Sequence, residues 1–153
     1  MPSYGYNPNQ GVALNQGAIF NTINGCNQGL IWHEDQTSSA IIRGIPPCPC
    51  KNSRKYKVTA IANIALPEGA TVVPIAIAFA IDGEVRPTSR AIFTPAAVGD
   101  YGNVTASDII EVPRGCCFRI SVQNVSASEE AAYVPASVID MQNLNITIDP
   151  LRN

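Results

Sequence analysis

The chain has 153 residues, 46% of them hydrophobic and 14% charged, with a formal net charge of −2. That length suffices for one domain with a real core, and the charge excludes the positive field that nucleic acid or an anionic membrane surface would require of a partner. Soluble domains average about 25% charged residues, so much of this surface is uncharged or covered, as at subunit interfaces, which deplete Lys, Glu and Asp.

The first ten residues have neither the basic nor the apolar segment of a secretory signal, so synthesis in a bacterial cytoplasm is expected. Residues 1–17 are rich in Asn, Gln, Gly, Pro and Tyr and lack apolar periodicity. They read as an extended N-terminal arm, with Tyr4, Tyr6 and Asn7 as its docking contacts. Residues 18–153 then form the folded domain, beginning with short strands at Ala18–Ile23, Leu30–His33 and Ser39–Arg43.

From Tyr56 to Leu66, Val58, Ala60, Ala62, Ile64 and Leu66 share one face, and Lys57, Thr59 and Asn63 share the other. Ile61 is the exception on the polar side, and the basic run from Lys51 to Lys57 reads as a solvated entry to this strand. Val72–Ile81 is apolar on both faces; it contains Pro74 and is about half the roughly 20 residues that span a bilayer. Ile75, Ile77, Phe79 and Ile81 are sized for a core, whereas Pro74, Ala76, Ala78 and Ala80 form a small-residue face expected at a subunit contact. Asp82-Gly83 predicts a tight hairpin, with a return strand over Glu84–Thr94 broken by Pro87.

Further strands are expected at Val104–Val112, at Cys117–Val125, at Tyr133–Ile139 and at Gln142–Ile148, where Leu144, Ile146 and Ile148 alternate with polar residues. About eight to ten short strands with Gly and Pro between them make the chain all-β, an antiparallel β-sandwich or jelly roll.

No residue set forms a credible active site, so the expectation is a non-enzyme without cofactor. His33 stands alone beside Glu34 and Asp35 and reads as a strand end. Trp32 is a core or interface anchor, or else a stacking platform for a sugar. Glycine-rich phosphate loops, nucleophile elbows and acidic calcium loops are lacking, and the carboxylates are scattered. The five cysteines, Cys26, Cys48, Cys50, Cys116 and Cys117, leave three readings open. Cys48, Cys50, Cys116 and Cys117 can supply a four-thiolate zinc site. The Cys-Cys pair can place one thiol inward and one at an interface, for inter-subunit disulfides. Otherwise the thiols are reduced, buried and packed as small hydrophobes.

The stretch Gly29–Gly44, the run Tyr56–Asn63, Ile81-Asp82-Gly83-Glu84, Thr94-Pro95-Ala96-Ala97-Val98, Asn103-Val104, Ile110–Pro113 with Gly115-Cys116-Cys117, and Val122–Ser126 together resemble small proteins of phages and prophages of gut Firmicutes. The resemblance covers roughly residues 17–148 and rests on turn and strand patterns. It implies a homotrimeric jelly roll of tumour necrosis factor-like architecture. In role, it implies a virion surface component, a capsid decoration or head-fibre protein docked on the major capsid or another virion protein. No Gly-X-Y stalk is present, which sets the chain apart from collagen-linked spore-surface relatives. Two alternatives remain: a self-polymerising appendage of a spore or cell surface, and a carbohydrate-binding module using Trp32 and the tyrosines.

Overall fold

A computed structural model describes residues 2–26, 29–126 and 136–152. Its strands are β1 (Ser3–Tyr6), β2 (Gln10–Ala13), β3 (Asn21–Asn24), β4 (Ile31–His33), β5 (Ala40–Arg43), β6 (Ser53–Ala65), β7 (Ile75–Ile81), β8 (Glu84–Val85), β9 (Ala91–Phe93), β10 (Gly102–Pro113), β11 (Cys117–Asn124) and β12 (Val138–Pro150). They form two six-stranded antiparallel sheets. The first runs β10-β6-β12-β1-β3 with β2 also on β12, and the second runs β4-β5-β11-β7-β8 with β9 also on β7. The architecture is the expected antiparallel β-sandwich.

Alternation explains the packing. Val58, Ala60, Ala62 and Ile64 of β6 and Val104, Ala106, Ile110 and Val112 of β10 point into the sandwich and meet Ile42, Ile75, Ile77, Phe79, Ile120 and Val122 of the second sheet. Each large aliphatic so buried contributes roughly 1.5–3 kcal/mol. At the hairpin after β7, Asp82 and Gly83 both take left-handed backbone, φ 51 and 86, as its primed turn requires. The return is broken at Pro87, as expected: β8 ends at Val85, a 3-10 turn occupies Pro87–Ser89, and β9 follows.

β12 corrects the expectation of two strands around residues 133–148. It is one strand of 13 residues, and Tyr133 to Pro135 lie outside the described residues. Its inward residues change parity, from Ile139 and Met141 to Leu144, Ile146 and Ile148. A bulge between Gln142 and Asn145, with Asn143 at φ 53, absorbs the extra residue. Such a bulge keeps both halves of a strand facing one core.

The N-terminal residues are a second correction. Rather than extending as an arm, Ser3–Tyr6 pair with Leu144–Thr147, and Gln10–Ala13 pair with Val138–Met141. Tyr4 and Val12 are core residues at 3% and 2% exposure. Asn7 lies between these strands, and its carbonyl accepts a hydrogen bond from the Asn143 amide at the bulge (3.2 Å). A long strand with an unpaired edge is a template for further chain, and here the chain's own N-terminus fills it.

The third correction concerns β7. Ala76, Ala78 and Ala80 are at most 1% exposed within the single chain, and Pro74 is half-buried. Val125 and Val85 pack against Ala76 and Ala78, the Val125 amide donates to the Ala76 carbonyl (3.0 Å), and the Ala76 amide donates to Ser126 Oγ (3.2 Å). The strand is buried on both faces, as its composition requires. Its small-residue side is nevertheless closed within one chain and offers no surface to a second.

Candidate functional site

The outward face of the first sheet is an exposed regular surface carried by β10, β6, β12, β1 and β3. On β6, Thr59 is flanked by Ser107 and Thr147, Ile61 by Thr105 and Asn145, and Asn63 by Asn103 and Gln142. Across β12, Ser3 lies opposite Thr147 and Gly5 opposite Asn145. Ile23 of β3 lies over Gly5, where a Cβ would come within 2.6 Å of its Cδ1. Glycine at position 5 thus makes room for the isoleucine. None of these residues is charged. Asn103 Nδ2 donates to Asn63 Oδ1 across the strands (3.0 Å), and the charged residues lie at the ends of the face, Lys55, Lys57, Glu111 and Asp149 at one and Asp140 at the other.

Three isoleucines stand out of this face: Ile23 at 66% exposure, Ile109 at 53% and Ile61 at 40%. Ile61 is the apolar residue that interrupts the polar side of β6 in the sequence. The uncharged band around Ile61 has little to lose by desolvation, since no charge there must be stripped of water.

A second feature is aromatic. Phe20 stacks on His33 (centroids 4.1 Å apart, 10° between planes), and Tyr4 meets both rings edge-on at 5.3 and 5.7 Å. His33 Nδ1 lies 2.8 Å from the Ser39 carbonyl oxygen and Nε2 2.8 Å from that of Phe20. A neutral imidazole has one N–H and satisfies one of these carbonyls; the doubly protonated ring satisfies both. The neighbouring carboxylate of Asp35 accepts from the Thr22 amide (2.8 Å). His33 therefore lies between the β3 approach and the β4–β5 hairpin, each ring nitrogen facing a backbone carbonyl. Burial pushes the Tyr4 phenol up to about 12 and also raises that of Tyr56. Beside this cluster, Trp32 is half exposed on a cleft of about 190 Å³ shared with Pro2, Thr22, Gly25 and Cys26, smaller than the roughly 300–1,000 Å³ of ligand pockets.

The cysteines fall in or beside three loops at one end of the sandwich. β1 and β6 begin at this end and β12 ends there, as does β3, whose Asn24 lies opposite Ser3. Cys26 follows β3, Cys48 and Cys50 lie between β5 and β6, and Cys116 and Cys117 close the β10–β11 turn. Cys48 and Cys50 form a disulfide, with Cα atoms 5.4 Å apart, while Cys26, Cys116 and Cys117 are exposed free thiols. Among the described residues no three of His, Cys, Asp and Glu converge closely enough to hold a metal. The four-thiolate zinc reading fails because the turn and the disulfide loop do not bring their sulfurs to one point. The buried-thiol reading fails because all three free cysteines are exposed.

No protein-family model and no curated protein sequence matches the chain. Among solved structures, it is similar to murine APRIL at 12% identity and a TM-score of 0.54, over 97% of this chain and 98% of that one. A xylan-binding domain, CBM22-1 of Xyn10C from Paenibacillus barcinonensis, matches at 9% identity and a TM-score of 0.33, over 93% of this chain and 94% of that one. The first likeness shows the jelly-roll fold alone. Neither carries a residue role to this chain.

Proposed function

We propose that this chain is a non-enzymatic structural jelly roll that works by self-association, with the outward face of the first sheet as the contact between copies of a homotrimer. The observation that carries this reading is the uncharged band of Thr, Ser and Asn around the exposed Ile23 and Ile61, with the exposed Ile109 at its border opposite Lys57. It accords with a chain in which charge is scarce throughout. The resemblance of the sequence to phage and prophage proteins supports a place on the surface of a virion, as a capsid decoration or head-fibre protein against the major capsid or another virion protein. Immunogold labelling of particles from an induced host checks that setting; label on spores or on the cell surface instead favours an appendage.

Sedimentation velocity tests the association. The chain is expected to sediment as a trimer at micromolar concentration, and Ile61→Asp, which places a charge in the middle of the band, is expected to yield a folded monomer. A wild-type chain that stays monomeric overturns the proposal. A second reading, a glycan-binding surface at Trp32, is favoured by that side chain's half exposure beside Tyr4 and His33; a glycan array without a hit removes it.

A further inference from the structure

The three cysteine-bearing loops share one rim, and two of them are locked together. Gly44 donates to the Cys116 carbonyl (2.8 Å) and accepts at its own carbonyl from Gly115 (3.1 Å). A Cβ at position 44 would stand 1.8 Å from the Pro113 oxygen, so only glycine permits this approach. On the far side of the same loop, Arg114 donates through Nη2 to the carbonyls of Pro49 (3.1 Å) and Lys51, and its amide donates to the Asn52 carbonyl (2.8 Å). The segment holding the Cys48–Cys50 disulfide is thus pinned at both ends to the turn that presents Cys116 and Cys117. Cys50, Cys116 and Cys117 are exposed, and Cys48 is half-buried.

A disulfide and free thiols on one exposed rim are the two reactants of thiol–disulfide exchange. Within one chain they do not converge on a common point, and the backbone hydrogen bonds hold both loops in place. An exposed thiol of a second copy has no such restraint. We propose that this rim is a covalent docking site for a second copy of the chain, in which a thiol of the Cys116–Cys117 pair on each copy exchanges with the Cys48–Cys50 disulfide of the other. The attacking thiol gives its proton to water, and its thiolate forms a bond to one sulfur of the disulfide. The Cys48–Cys50 bond breaks, and the displaced sulfur leaves as a thiolate that takes up a proton. The electron pair passes from the attacking to the departing sulfur, and no oxidant is consumed.

Donor and acceptor lie on the same rim, so the contact is self-complementary and closes on itself. Its product is a rim-to-rim pair with two interchain disulfides, and not an open ladder. This inference concerns the loop end of the sandwich and is independent of the sheet face proposed for trimerisation.

The full chain, purified without reductant, is run on a denaturing non-reducing gel, and its disulfide-linked peptides are identified by mass spectrometry. The expected result is a species of twice the chain mass that collapses with dithiothreitol, with Cys116 or Cys117 joined to Cys48 or Cys50. Cys116→Ser/Cys117→Ser is expected to abolish it and Cys26→Ser to leave it unchanged. A chain that remains monomeric on that gel, a ladder beyond the dimer, or a cross-link through Cys26 each overturns the proposal. A trimer in sedimentation combined with no covalent dimer separates failure of this inference from failure of the sheet-face reading.

Discussion

His33 and Tyr4 show how one side chain joins distant segments. The imidazole receives no chemistry from Glu34 or Asp35 and instead lies between the Phe20 and Ser39 carbonyls, while Tyr4 closes the aromatic cluster from β1. Burial holds the Tyr4 phenol neutral up to about 12 instead of its ordinary value near 10. A phenol raised on folding contributes stability that is fully present below the unfolded value and lost as pH rises through the folded one. The urea midpoint is therefore expected to fall between pH 10 and about 12, with a loss on the order of 2–3 kcal/mol from this group. Tyr4→Phe should flatten that slope without removing it, because Tyr56 is raised in the same direction. An unchanged slope in the variant would show that Tyr4 ionises as freely in the fold as out of it.

Among the elements, β12 depends most on a single backbone position. Asn143 holds a left-handed conformation that Asn and Gly tolerate best, and it allows Ile139 and Met141 to share a core with Leu144, Ile146 and Ile148. Deleting it would turn one half of the strand over, exposing side chains worth roughly 1.5–3 kcal/mol each. The loss approaches the roughly 5–15 kcal/mol that holds a domain together. Deletion of Asn143 is expected to abolish the cooperative thermal transition, whereas Asn143→Gly should melt within a few degrees of the wild type. The strands read most directly from sequence, β6, β11 and the second half of β12, are those whose alternation is regular, with Ile61 the exception in β6. β7 was legible as a strand buried on both faces, but apolarity alone does not distinguish cover by Val85 and Val125 of the same chain from cover by a second.

At the scale of the whole molecule, the two ends of the chain are joined. β1 and β2 complete the edge of β12, and Asn124 Nδ2 donates to the Val12 carbonyl (2.9 Å), tying β2 to β11. Removing residues 2–17 would uncover that edge, the core beneath Tyr4 and Val12, and a buried amide. The truncated chain is expected to aggregate or to melt far below the full chain by differential scanning fluorimetry; a truncation that melts normally would return these residues to the status of a detachable arm. Completion of the sheet also creates the uncharged band, since Gly5 and Ser3 extend it from β12 towards Ile23.

The order of residues along the chain is enough for the fold class, the inward residues of the alternating strands, the Asp82-Gly83 hairpin and the break at Pro87. Each follows from local periodicity or local backbone preference within a few residues. Even Ile61, out of pattern on the polar side of β6, was visible as an exception, though not as part of a surface. Long-range pairing sets the rest: the N-terminal residues lie in a sheet, the alanines of β7 are closed over, the exposed isoleucines share one face, and the cysteines lie at one end of the sandwich. These are pairings between segments far apart in the chain, chosen by register, edge completion and the packing of one sheet on another. No local pattern encodes them, because an apolar side or an unpaired edge specifies that it must be covered without specifying by what.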